Sequence, residues 1–137
     1  MASIHEEIVI DAPAEHVWDA IRDVGALHTR LVPGFVTDTK MEEAGAVRAV
    51  TFANGSTVRE RIVTVDDKRR RLVWSVVSEP FSHHNGSIQA FAEGDRRTKA
   101  VWIADLLPEE LAPRVQPMMA QGLKAMKAAL ERSSAGG

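Results

Sequence analysis

Arg48, Glu60 and His84 carry the groups best suited to hold a polar function, or to move a proton, in an apolar setting. Each stands in a run that alternates apolar and polar residues, the mark of a half-buried strand. Strand side chains alternate between two faces, so Val58, Glu60 and Ile62 share one face of Thr57–Val65 while Arg59, Arg61 and Val63 share the other. The arginine face reads as solvated. Glu60 then points with its apolar neighbours toward whatever the sheet covers, where a carboxylate needs a partner, a wet cavity or a rim position open to water. Arg48 shares its face with Val50 and Phe52, and Asn54-Gly55 is a tight-hairpin signal that sets their strand, Val47–Phe52, beside that of Glu60. Each charge is the other's natural partner. Such a pair either braces the sheet or lines a pocket, with a ligand carboxylate or carbonyl at Arg48 and a hydroxyl at Glu60.

In the run His84–Phe91, Ile88 and Ala90 set the inner phase, which puts His84 and Gly86 inside and His83 and Asn85 outside. His84 is the candidate general base or polar anchor, with Glu60 the second candidate for proton transfer. The alternative is a strand-end histidine satisfied by water or backbone. Gly86, having no side chain, reads as leaving room beside His84. Trp74 and Trp102 fall on inner faces as broad apolar walls, and Met118 and Met119 offer an adaptable one; ordinary core packing is the competing role for all four. Adjacent histidines project to opposite faces, and no other His, Asp or Glu cluster has ligand spacing, so neither a metal nor a cofactor is expected.

The elements that must position these groups follow from the pattern. Ile4–Asp11 reads as a strand, Ala12-Pro13 as the opening of a helix with stripe Ala14, Val17, Trp18 and Ile21, and Gly25 as its left-handed close. A short helix carries Leu27 and Leu31 to Pro33-Gly34. Strands are expected at Phe35–Met41, Val47–Phe52, Thr57–Val65, Leu72–Val77, His84–Phe91 and Ala100–Leu106, and a long helix at Glu109–Arg132. Pro113 can start that helix, whereas Pro117 loosens its first turns. The small residues Ser133–Gly137 read as a flexible tail. The order implies an α+β fold, a curved antiparallel sheet of six or seven strands around the long C-terminal helix, with two short helices after the first strand.

Length and composition bound the rest. The chain has 137 residues, a net charge of −2 and no cysteine. That is one domain, residues 1–132, without disulfides or thiolate chemistry. It lacks the basic excess of a nucleic-acid binder. No apolar run approaches the roughly 20 residues of a membrane span, and the first residues lack the pattern of a secretory signal. The expected location is cytoplasmic, with no integral membrane association.

Several phrases resemble the START/Bet v 1-like superfamily, also called the SRPBCC or polyketide cyclase and lipid-transport group. Ile10-Asp11-Ala12-Pro13-Ala14-Glu15-His16-Val17-Trp18 is similar to its opening signature, Gly45-Ala46-Val47-Arg48 to its third strand, and Glu60-Arg61, Asp66-Asp67 and Leu72-Val73-Trp74-Ser75 to its central hairpin. The resemblance implies the helix-grip fold and a cavity for a sterol, lipid, polyketide or plant hormone. The hairpin is similar to that of plant abscisic-acid receptors, where positions matching Glu60, Trp74 and Val76 line the pocket. Two departures argue against a hormone switch: Ala53-Asn54-Gly55-Ser56 stands where the receptors have a longer gating loop, and Ser78-Glu79-Pro80-Phe81-Ser82-His83 replaces their latch.

The expectation is a binding protein for a small, mostly apolar ligand, lined by Arg48, Val50, Phe52, Val58, Glu60, Ile62, Trp74, Val76, His84, Trp102, Met118 and Met119. One alternative is a cyclase or dehydratase in which His84 or Glu60 takes a proton alpha to a carbonyl while Arg48 stabilises the enolate oxygen. Another is a protein-interaction module with a filled core. Homodimer formation is left open.

Overall fold

The computed structural model describes residues 1–136. Seven strands form one antiparallel sheet: β1 Ala2–Ile10, β2 Val36–Glu42, β3 Val47–Phe52, β4 Thr57–Asp66, β5 Arg71–Val76, β6 His83–Ala92 and β7 Thr98–Leu107. Their order is β1-β7-β6-β5-β4-β3-β2, so the chain returns to β1 only at its last strand. Helix α1, Ala14–Arg22, and a π-helical turn, Leu27–Leu31, connect the two edge strands β1 and β2. Helix α2, Ala112–Gly136, packs mainly against β1, with further contacts to β7, α1 and the π-helical turn. The fold class and element order match the expectation.

Several local differences have physical causes. Pro13 precedes α1 with an extended backbone, φ −61° and ψ 148°, and its carbonyl accepts the N–H of Val17 at 3.1 Å. It therefore stands just before the helix, not as its first residue. Asp23, not Gly25, follows the last turn of α1. Gly25 is absent from the positive-φ glycines; a Cβ there would lie 3.2 Å from Met41 Cγ, so this glycine serves close approach. The C-terminal helix does not begin at Glu109. Pro113 has no N–H to give the Glu109 carbonyl, so Glu109–Leu111 forms a tighter 3-10 turn and the α-helix proper starts at Ala112. Pro117 lies inside α2. At the other end the helix runs on to Gly136 instead of yielding to a tail at Ser133. Ser133 Oγ is 2.7 Å from His16 Nε2 and donates to the Leu130 carbonyl at 3.3 Å, which ties the last turns down. Gly137 lies outside the described residues.

The core is in two parts. The larger joins α1, the π-helical turn, β3, β5, β6 and the C-terminal half of α2, through residues such as Val17, Ile21, Leu72, Ile88, Leu123 and Met126. The smaller holds Ile4, Ala104, Leu106, Val115 and Met119, where the N-terminal half of α2 covers β1 and β7. Phe81 and Trp102 pack against both. A bulge at Val63 lets Ile62 face Trp74 while Thr64 faces Val73, and such a bulge bends its strand and strengthens the local twist.

Candidate functional site

The strand registers place the predicted polar groups in a single row. Arg48 on β3 faces Glu60 on β4, and Glu60 faces Val76 on β5. Ser75 stands opposite Asn85, so one further step along that register sets Val76 level with His84 on β6. Two interstrand spacings, roughly 10 Å, therefore separate Glu60 from His84 at the backbone. The alternation put all of these side chains on the inner face. Arg48 is 2% exposed, Glu60 8% and His84 7%.

A cavity of about 110 Å³ lies over this row, well beyond the roughly 10–15 Å³ that one water needs. Arg48, Val50, Phe52, Val58 and Glu60 line it from β3 and β4. Leu72, Trp74, Val76, His84, Ile88 and Trp102 line it from β5, β6 and β7. Val115, Met118 and Met126 reach it from α2, while Leu27, Leu31, Val32 and Phe35 close the side nearest the π-helical turn. Two residues expected at the site are elsewhere. Met119 is one position from Met118, a rotation of about 100° around the helix, and is buried in the smaller core cluster. Ile62 packs against the main core and is not among the lining residues. Nine lining residues were not among those expected: Leu27, Leu31, Val32, Phe35, Leu72, Phe81, Ile88, Val115 and Met126. Phe81 sits in the β5–β6 loop, where no period reports direction, and its ring meets His84 edge-on at 4.6 Å. Val115 and Met126 belong to the apolar helix stripe, which does not say which of its members face a cavity.

Arg48 and Glu60 meet as predicted. Arg48 Nε donates to Glu60 Oε1 at 2.8 Å, and Nη1 donates to the Val24 carbonyl at 3.2 Å. The guanidinium also lies over the Trp74 ring, 5.5 Å from its centroid, a cation–π contact. Trp74 owes its position to Gly86, its cross-strand partner. A Cβ on Gly86 would fall 2.5 Å from Trp74 Cε2, so the room expected beside His84 is filled by the indole. Gly122 on α2 does the same for Trp102, whose Cζ3 would be 2.8 Å from an added Cβ. The two indoles then meet edge-on at 6.0 Å.

The other side of the cavity is chemically different. His84 Nδ1 and Trp102 Nε1 are buried without a hydrogen-bond partner among the described residues. Burial, with the neighbouring His83 adding to it, pushes the His84 imidazole down from 6.5 to about 4. It is therefore neutral near pH 7, and its Nδ1 donates or accepts one hydrogen bond according to tautomer. Among the described residues no group of three or more His, Cys, Asp or Glu side chains is placed to hold a metal ion.

Residues 1–131 match the family described as polyketide cyclase / dehydrase and lipid transport. The chain belongs to that family. Solved structures share the fold. XoxI from Bacillus cereus is 25% identical with a TM-score of 0.85, covering 95% of this chain and 96% of its own. The Zhui aromatase/cyclase from Streptomyces sp. R1128 is 18% identical with a TM-score of 0.76, covering 97% and 93%. A START superfamily protein from Mycobacterium smegmatis is 12% identical with a TM-score of 0.71, covering 98% and 97%. At such identities the last two show the fold alone, and that fold is the START/Bet v 1 helix-grip. No curated protein matches the chain. Among the described residues, no helix is long and apolar enough to cross a membrane.

Proposed function

We propose that this polyketide cyclase-like protein binds a small, mostly apolar molecule, a lipid, polyketide or related compound, between its sheet and α2. One observation carries the reading. His84 and Trp102 each bury an unpartnered nitrogen in residues that line a cavity whose other polar groups, Arg48 and Glu60, satisfy each other. An unmet buried donor or acceptor costs about 1–3 kcal/mol, so a fold that keeps two of them in cavity-lining residues gains when a ligand oxygen or hydroxyl reaches them. The open space also weighs against an interaction module with a filled core. Prodan, a neutral naphthyl ketone whose emission reports polarity, tests the reading. It should bind saturably at one dye per chain with blue-shifted emission, and the cavity-filling substitution Val76→Phe should abolish binding. Unsaturable binding, or binding indifferent to Val76→Phe, would overturn the reading.

The family supports a second reading, a cyclase or dehydratase acting on a ketone. His84 would take a proton from the carbon alpha to the carbonyl, the C–H electron pair would form the carbon–carbon double bond, and the carbonyl π pair would move to the oxygen, held as enolate by Arg48. The depressed His84 pKa weighs against it, because a general base works best with a pKa near the working pH. Arg48 is also already committed to Glu60. Turnover of a cyclisable ketone that is lost in His84→Gln while ketone affinity holds would favour the enzyme.

A further inference from the structure

Among the residues lining the cavity, only Arg48, Glu60 and His84 can carry charge. The first two cancel. Their side chains are 3% and 10% exposed and meet at 2.8 Å, so the wall contains a closed ion pair and no free charge. Arg48 is further pinned by the Val24 carbonyl and by the face of Trp74. Turning it toward a ligand carboxylate would leave Glu60 buried alone, the expensive way to break such a pair. His84 is neutral in its buried setting, as argued above. An ionised ligand would therefore surrender its hydration to an apolar wall that offers no net opposite charge.

The geometry points to an uncharged ligand, a ketone, phenol or alcohol on an apolar skeleton, in place of a fatty-acid carboxylate or an amine. The inference rests on the binding reading and narrows it. It also revises the sequence-based expectation that a carboxylate could sit at Arg48. A neutral oxygen suits what is unfilled: the Trp102 indole N–H can donate to a carbonyl or hydroxyl oxygen, and His84 Nδ1, four positions away in the register, can exchange a hydrogen bond with a second one.

Three probes on one skeleton test it: 2-acetylnaphthalene, 2-naphthoate and 2-naphthylmethylammonium, each titrated calorimetrically into the full chain near neutral pH. The ketone should bind about tenfold or more tightly than either ion. Naphthoate or the ammonium binding as tightly as the ketone would overturn the inference and leave the binding reading standing. Binding of none of the three would overturn both. Glu60→Gln leaves the Arg48 charge unopposed and should shift the preference toward naphthoate by about tenfold or more, whereas Arg48→Met with Glu60→Gln should restore the preference for the ketone. An unchanged preference in Glu60→Gln would contradict the inference. Should that variant fail to fold, the comparison in the natural chain decides alone.

Discussion

Two sets of polar groups, one closed and one open, line one cavity from different parts of the sheet. On β3 and β4, Arg48 and Glu60 satisfy each other, and the Val24 carbonyl and the Trp74 ring complete the set. On β6 and β7, His84 and Trp102 stand apart, His84 opposite Leu106 and Trp102 opposite Ile88, and each buries a nitrogen with no partner among the described residues. Both sets are inward and mostly buried, so exposure does not separate them; partnership does. A closed set belongs to the fold, because removing a member leaves a buried group unmet. An open one is already unmet, so its removal costs the fold little and costs a ligand its anchor. Trp18 makes the same point within one residue type. Its indole N–H donates to Asp67 at 2.9 Å, and Arg22 holds the same carboxylate at 2.8 Å. That set clamps α1 to the β4–β5 turn and leaves nothing for a ligand.

The largest effect should come from breaking the closed set. Arg48→Met and Glu60→Gln should each destabilise by about 3–5 kcal/mol, the usual result of stranding one member of a buried pair. The double substitution should cost much less than the sum. A denaturant double-mutant cycle measures this, and strict additivity would show the pair to be uncoupled.

Next is the wall between the two sets. Gly86→Ala forces Trp74 off its seat and should cost about 1–3 kcal/mol, as overpacking usually does, with a changed near-ultraviolet circular dichroism signal from the displaced indole. An unperturbed spectrum would mean that the indole does not lie against this glycine.

The smallest effect on stability should come from the open set. His84→Leu replaces an unmet polar group by an apolar one and should leave stability near neutral pH within about 1 kcal/mol, while weakening a neutral ketone by about 1–2 kcal/mol. It should also change the acid limb. In the unfolded chain His84 takes up a proton below its ordinary 6.5, but in the fold only below about 4. Protons therefore favour unfolding across that window. Stability attributable to His84 is fully present above 6.5 and falls as the pH drops toward 4, by about 1–3 kcal/mol. Denaturant midpoints measured across the window should show a shallower fall in His84→Leu than in the natural chain.

The sequence made one kind of information readable and hid another. Strict alternation disclosed that Arg48, Glu60 and His84 face inward, and the Asn54-Gly55 turn disclosed that the first two are neighbours. Period says less on a helix, where Met118 and Met119 share a stripe yet reach different spaces. It says nothing in a loop, which is why Phe81 went unseen. Pro113 carried a readable signal, since its missing N–H must break the ladder to Glu109. Gly86 and Gly25 were misread because a glycine's purpose depends on what approaches it from another strand, and only the packed molecule shows that. The difference between closed and open polar sets belongs to the same class. It is a property of partners, not of residues.

The indole N–H resonances of the three tryptophans test the central claim most directly. In nitrogen–proton spectra of the full chain, saturating 2-acetylnaphthalene should move the Trp102 signal downfield as its N–H gains an acceptor. Trp74, on the same wall, should shift by ring-current effects, and Trp18, already bonded to Asp67, should stay in place. A Trp102 signal that stays fixed while Trp18 or surface amides move would place binding outside the cavity and contradict the account.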